Sequence, residues 1–443
     1  MDKNVKQICE YGTIWNTKDF QEYKDSVQAI YLDPKSFENL KSFVAENSDP
    51  GTEIESAFSY HRQKGKDFIR VKNYVGVIET RNGTTIEILP KIYNSKKTDS
   101  TTSINESRSI LLSMLRCLRN SPFKTIDKAH INENRMPLLE IFISMFLKEV
   151  ECIVNRGIKH FYANSEENQK FLKGRLLFSQ QIKLNVTRAD RFFVQFDEFK
   201  ANIPQNRILK TALLYVDRKS KSTKNKSQII DLLALFDEVE LSKNIPSDLA
   251  KLNGHNRLFS YYDSAISWAK LFLEGKSFTS YKGKYLNTAI LFPMEVLFES
   301  YVAHKLKKQH PELNIATQDR QHFLLTDLLL KQNKFRIRPD IVVRASEELI
   351  IADTKWKVID QSNSSKNYLI TQADMYQLYA YGKKYISNHL ILIYPECESF
   401  TEELLFQYDN QITLRCVPWS FKRENVVLKE MNYEVYQWDN LLA

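Results

Sequence analysis

The sequence predicts an α/β protein, α+β overall. It divides into a β-rich N-terminal domain over residues 1–100, a mainly helical middle region over 101–290 and a C-terminal α/β domain over 291–443. Three observations predict this arrangement. An Asn-Gly turn sits between β-prone runs early in the chain, apolar residues recur at helical spacing through the middle, and helix and strand patterns alternate after Leu291. A chain of 443 residues fits two or three domains of ordinary size.

Composition narrows the class. Hydrophobic residues make up 43% and aromatics 12%, enough for a sizeable core and against global disorder. With 11 Gly and 12 Pro, fibrous and low-complexity chains are excluded. Lys and Arg outnumber Asp and Glu by 63 to 54, a formal charge of +9 that mildly favours a polyanionic partner. Cys9, Cys117, Cys152, Cys397 and Cys416 are dispersed without a C-x-x-C pair, which reads as buried reduced thiols rather than a disulfide framework or zinc ribbon. The opening residues lack a signal-peptide apolar stretch, and no segment approaches the roughly 18 apolar residues of a membrane span. A cytoplasmic protein with no membrane partner is expected.

Taken in order, Tyr74-Val-Gly-Val-Ile and Thr85-Ile-Glu-Ile-Leu flank Arg81-Asn82-Gly83, a strong hairpin signal. Residues 94–107 are polar and Ser/Thr-rich and read as an exposed linker. Ile110, Leu111, Met114, Leu115 and Leu118 keep helical spacing, as do Leu138, Ile141, Phe142, Met145 and Phe146 behind Pro137. The basic stretch 218–226 reads as a solvated loop, with phosphate contact as the sharper alternative. No internal repeat is visible. Beyond Leu291 a helix is predicted over 294–309, strands over 323–330, 335–343 and 349–357, a second helix over 371–386 and a strand over 389–394.

The chemistry concentrates in Arg336-Ile-Arg-Pro-Asp340 and Ala352-Asp353-Thr354-Lys355. A turn over residues 345–348 makes Arg344 oppose Leu349, and the same register puts Asp340 opposite Asp353. Directly opposed residues have Cβ atoms about 5 Å apart, where two carboxylates repel unless a cation lies between them. Mg²⁺ (or Mn²⁺) fits, because it takes oxygen ligands and keeps several waters. Lys355 follows Asp353 by two residues and so projects from the same strand face. An amine there can assist a metal-bound water or stabilise charge on a phosphate. The bland alternative is an exposed ion-pair cluster, and the apolar strand that leads into Asp353 argues against it. Glu295 and Glu299, one helical turn apart, are further candidate metal ligands, with a solvated helix edge as the alternative. Gln377 and Tyr381 on the later helix could touch substrate or the lysine, in competition with the Gln372/Tyr376 register.

At these residues the chain resembles the PD-(D/E)xK nuclease superfamily and, more narrowly, the McrC family of McrBC modified-cytosine restriction systems. Segments similar to family members follow in order: Val75-Gly-Val-Ile with Ile86-Glu-Ile-Leu-Pro-Lys91, Lys173-Gly-Arg-Leu176, Asn206-Arg-Ile-Leu-Lys210, Phe292-Pro-Met-Glu-Val-Leu-Phe-Glu299 and Gln377-Leu-Tyr-Ala-Tyr-Gly382. They span roughly residues 70 to 395. The resemblance implies a restriction-endonuclease-like C-terminal domain that cuts methylcytosine-containing double-stranded DNA. It implies Asp340 and Asp353 as metal ligands, Lys355 as the catalytic lysine, and Glu299, with Glu295 second, as the helix-borne acid. It also implies an McrB-like AAA-type GTPase as partner, docked and stimulated by residues 1 to about 290. In agreement, Gly275-Lys276-Ser277 is not a phosphate loop, since Lys270 stands where the first glycine is needed. A free-standing repair nuclease and a non-catalytic activator of an AAA-type motor are the competing functions.

Overall fold

The computed structural model describes residues 5–46, 57–91, 101–118, 136–252, 257–274, 286–344, 348–409, 412–423, 425, 427 and 428. Residues 94–100 of the expected linker, the Gly275-Lys276-Ser277 stretch and residues 345–347 of the expected turn lie outside the described residues. The chain forms two compact units. One comprises Met1–Asn120, Gly283–Asn287 and Leu291–Ala443, the other Ser121–Lys282 and Thr288–Ile290. No helix among the described residues is long and apolar enough to cross a membrane.

The first unit opens with two small sheets. Tyr74–Thr80 pairs antiparallel with Thr85–Leu89, and the parallel Val5–Cys9 lies on the other side of Thr85–Leu89. This is the expected hairpin. Its Asn-Gly turn places Gly83 at φ +78°, a conformation that side-chain-bearing residues rarely adopt. The second sheet runs Ala29–Leu32, Thr13–Asn16, Lys66–Val71, Phe58–Gln63. The helix Pro34–Glu46 buries Phe37, Leu40, Phe43 and Val44.

The structure corrects the linker reading. Thr101–Cys117 is one helix, and Ser107 and Arg108 are buried in it. Arg108 lies 3.8 Å from the equally buried Glu87 carboxylate, so charge pairing covers a polar segment that composition alone assigned to solvent. Leu111, Met114, Leu115 and Leu118 are buried as their spacing predicts.

A six-stranded mixed sheet dominates the C-terminal part of this unit. Its order is Asn314–Thr317, Ile341–Arg344, Leu349–Thr354, His389–Pro395, Thr413–Trp419, Leu404–Gln407. The predicted helices appear as Met294–Gln309 and Gln372–Tyr385. Val342, Ile351, Leu390 and Leu392 pack with Leu378, Tyr381 and Tyr385 of the later helix. Residues of opposite parity face the other way, where Trp356 meets Phe298 of the earlier helix at a ring separation of 5.2 Å. Two expected strands need correction. Residues 323–330 and 335–343 are not two sheet strands, because Phe323–Asp327 and Gln332–Arg336 form a separate two-stranded ribbon. Only Ile341–Arg344 enters the sheet, since Arg338 and Pro339 break the run and Pro339 has no N–H for a ladder.

Trp356 also ties this sheet to the N-terminal strands. Its Nε1 donates to both Glu10 carboxylate oxygens at 2.8 and 3.0 Å, and Lys91 N donates to Glu10 at 2.9 Å. Glu10 is 1% exposed, and burial pushes its carboxyl up to about 8 against the pull of Lys91 and Trp356.

In the second unit, Leu138–Arg156 buries the apolar residues that the spacing singled out, with Pro137 at its N-cap. The basic stretch 218–226 is not a loop. Pro204–Lys219 ends within it and Thr223–Leu235 begins within it. The buried Glu140 carboxylate organises the junction, accepting from Ser220 Oγ at 2.8 Å, Lys221 N at 2.5 Å, Ser222 N at 3.2 Å and Asn225 Nδ2 at 2.8 Å. A three-stranded sheet of Phe161–Gln169, Phe192–Lys200 and Arg175–Leu176 was not foreseen. Gly174 makes it possible: its φ is +72°, and a Cβ there would sit 2.4 Å from Gln195 O.

Two outcomes are expected. Glu140→Ala strands several buried donors and should lower the unfolding free energy by about 2–4 kcal/mol in urea titrations. Glu10 binds its proton more tightly folded than unfolded, so its contribution is complete below its ordinary value of 4.5 and is lost as pH rises through about 8. Urea titrations from pH 5 to 9 should therefore show stability falling by up to a few kcal/mol in the wild type, and a flatter profile in Glu10→Gln.

Candidate active site

The strand pair Ile341–Arg344 and Leu349–Thr354 sets the site. Its register is Arg344↔Leu349, Val343↔Ile350, Val342↔Ile351 and Ile341↔Ala352, the pairing expected from the sequence. One step further, Asp340 meets the Asp353 end of the neighbouring strand. Asp340 Oδ2 accepts from Thr354 N at 2.8 Å and from Thr354 Oγ1 at 2.7 Å. Sheet pairing continues past Asp353, since Lys355 N donates to Ile393 O at 2.9 Å and so holds the lysine's backbone.

Asp353, Lys355 and Asp340 share the parity of Ile351 and Val342, hence the face covered by Gln372–Tyr385. Lys355 Nζ lies 2.5 Å from Asp353 Oδ2 and donates to Gln377 Oε1 at 2.9 Å. Gln377 Nε2 donates to Tyr381 OH at 2.8 Å, and that hydroxyl donates to Arg338 O at 3.2 Å. A continuous polar chain thus runs from the carboxylate to the residue two before Asp340. Among the described residues the competing pair, Gln372 and Tyr376, bond only to each other, at 2.6 Å on the exposed side. Gln377 and Tyr381 are thus the pair that the fold brings to Lys355.

The electrostatics follow from burial. Asp353 is 2% exposed, and burial followed by the neighbouring Asp340 charge pushes it up to about 7, with Lys355 opposing. Burial also raises Asp340, against the Thr354 hydrogen bonds and Lys355. Burial alone would lower Lys355, but Asp353, Asp374 and Asp340 outweigh it and hold the ammonium charged.

The two helix glutamates differ in their partners: Glu299 shares Gln318 with Asp340, and Glu295 does not. Gln318 Nε2 donates to Glu299, while Gln318 N donates to Asp340 O at 2.9 Å. Glu295 is exposed and accepts from Asn73 Nδ2 at 3.1 Å. Among the described residues no group of three or more His, Cys, Asp or Glu side chains is gathered as a metal cluster. The donor set nonetheless suits a hard cation. The half-buried Asp340 carboxylate lies beside the buried one of Asp353, and Asp353 Oδ2 touches the lysine without a hydrogen bond aligned on it. An ion of the Mg²⁺ type needs few protein oxygens and fills its remaining positions with water.

Sequence reasoning missed Thr354, Gln318 and Asp374, whose carboxylate holds Lys357 Nζ at 2.9 Å. Thr354 was readable, lying between the two motif residues. Gln318 and Asp374 act through tertiary contacts that no local spacing encodes.

A family model described as McrBC 5-methylcytosine restriction system component matches residues 69–395. No curated protein matches the sequence. Among solved structures, the chain is similar to one from a Thermococcus gammatolerans assembly described as McrB AAA+ hexamers with bound McrC. The TM-score is 0.64 and the identity 19%, covering 94% of this chain and 95% of that one. A second, from a Thermococcus gammatolerans McrBC complex, matches at TM-score 0.47 and 21% identity over 68% of this chain and 87% of that one. The fold is thus shared with the first of these along nearly its whole length. With the family model spanning well over half the sequence, this chain belongs to the McrBC 5-methylcytosine restriction system component family.

Proposed function

We propose that the chain is the nuclease subunit of an McrBC-type restriction system, a Mg²⁺- or Mn²⁺-dependent endodeoxyribonuclease. Its substrate in this reading is methylcytosine-containing double-stranded DNA, and its partner is an McrB-like AAA-type GTPase that it stimulates. One observation carries the reading: Asp340, Asp353 and Lys355 converge from paired strands, and Gln377 holds the lysine.

Asp340 and Asp353 would hold the cation, and Glu299, which shares Gln318 with Asp340, would be the further acid. A bound divalent ion supplies positive charge that polarises a phosphodiester and acidifies water. The protein's own groups do the rest. Lys355, kept ionised, offers an ammonium to charge developing on the phosphate. Gln377 turns its carbonyl to that ammonium and is itself fixed by Tyr381, so the lysine points without a search through rotamers. Thr354 orients Asp340 through two donors to one oxygen, leaving the other free to ligate.

Partner binding is supported by the fold shared with a chain of the McrB–McrC assembly. The second unit also exposes Phe161, Tyr162, Phe171, Leu172, Phe178 and Phe199 on and beside its small sheet, an apolar surface of the kind that a protein partner covers.

Two experiments test this reading. In thermal melts, Mg²⁺ or Mn²⁺ should raise the wild-type midpoint by several degrees over EDTA, as a ligand confined to the folded state must. Asp353→Asn should lose that rise while folding normally in EDTA; an equal rise in the variant would place the ion elsewhere. In plasmid cleavage with GTP, Mg²⁺ and an McrB-like partner, Asp353→Ala and Lys355→Ala should cut at least about 100-fold more slowly, and Gln377→Ala about tenfold. GTPase stimulation should survive in all three. Undiminished cleavage by the lysine variant would remove the proposed site.

A further inference from the structure

The ribbon formed by Phe323–Asp327 and Gln332–Arg336 stands outside the six-stranded sheet, and the site described above does not use it. Its tip is the run Leu328-Leu329-Leu330. Leu328 is 87% exposed and Leu329 95%, an arrangement that costs solubility unless something covers it. The tip is also built. Asp327 Oδ1 accepts from both Leu329 N and Leu330 N at 3.0 Å, which fixes the turn that presents the leucines. Below the tip, Phe335 is exposed in a left-handed conformation at φ +55°, unusual for a residue with a side chain.

Charge says what covers it. Residues 320–338 carry Arg320, Lys331, Lys334, Arg336 and Arg338 against one carboxylate, Asp327, which is engaged with the turn. Among the described residues Arg320, Lys331, Lys334 and Arg336 have no carboxylate partner, Arg338 acts on the charge of Asp340, and Arg336 lies 4.8 Å over the Phe323 ring. An apolar tip on a basic shaft suits a polyanion whose interior is apolar and stacked. The place fits as well. Only Ile337, Arg338 and Pro339 separate the ribbon from Asp340, so its base lies within about 14 Å of the carboxylate pair.

We propose that this ribbon engages duplex DNA beside the cut site. Its leucine tip enters the minor groove and wedges a base step apart, while Lys331, Lys334 and Arg336 meet the flanking phosphates. Apolar wedges of this kind partly unstack and kink the duplex, and the cations beside them stabilise the bent form. The inference rests on the reading of the chain as a DNA nuclease and adds the element that grips the substrate.

The test is equilibrium binding of the full-length chain, in EDTA, to a duplex carrying 2-aminopurine, read by anisotropy and by the base's fluorescence. The wild type should bind and brighten the probe. The variant with Leu328→Ser, Leu329→Ser and Leu330→Ser should bind roughly tenfold more weakly, without the brightening and with an unchanged salt slope. Lys331→Ala with Lys334→Ala and Arg336→Ala should reduce the slope of log affinity against log salt by about 3. The tip is exposed, so folding should survive, and Leu329→Ala alone serves should the triple variant aggregate. Wild-type binding and brightening retained by both ribbon variants overturns the inference and leaves the nuclease reading intact. A tip variant that changes only the oligomeric state also overturns it, assigning the ribbon to contact between copies. A wild type that neither binds duplex nor cuts it with a partner overturns both.

Discussion

The alignment of two short strands is the constraint on which the site depends. Pairing Arg344 with Leu349 brings Asp340 to the Asp353 end of its neighbour, and strand alternation then puts Lys355 on the same face. A slip of one residue would turn every side chain of one strand to the opposite surface and separate the charges. The charged end opposes that slip. Val342 and Ile351 are buried on one face and Ile341 and Ile350 on the other, so a slipped strand would still bury apolar side chains but would carry Asp340 away from its donors, Thr354 N and Oγ1. A strand pair buried on both faces thus carries at its end two carboxylates that would not otherwise be kept together.

Both sides of the sheet share in holding that end. On one side the Gln372–Tyr385 helix supplies Gln377 and Tyr381, which complete the hydrogen bonds of the lysine and reach back to Arg338 O. On the other, Trp356 is clamped between Phe298 and the buried Glu10. The segment Asp353–Lys357, the end of the strand and the residues after it, is therefore fixed from helix, sheet and Glu10 together, and this leaves little rotamer freedom to be lost when a substrate arrives.

Much of this was legible in the sequence, for identifiable reasons. The Asn-Gly hairpin, the Met294–Gln309 and Gln372–Tyr385 helices and the Asp340–Asp353 opposition all rest on local periodicity or turn chemistry, which a single chain displays. Where reading failed, distant residues decided the outcome. Residues 101–107 looked like a linker because Glu87, which takes the charge of Arg108, is remote in sequence. The basic stretch 218–226, whose Arg218, Lys221, Lys224 and Lys226 are exposed as expected, looked like a loop because Glu140, which caps its junction, lies some 80 positions earlier. Two strands were drawn too long because apolar residues on an exposed ribbon read as core, and Leu328–Leu330 gave no sign that they face water. The different partners of Glu295 and Glu299, Asn73 and Gln318, likewise lie where no helical spacing reveals them.

The central claim is that the opposed carboxylates form a seat for a divalent ion. Anomalous diffraction from crystals grown with Mn²⁺ reads this most directly. The expected result is one strong peak about 2 Å from a carboxylate oxygen of both Asp340 and Asp353, within reach of Glu299. A map with no peak between them, or with manganese bound only at other acidic positions, would contradict the claim.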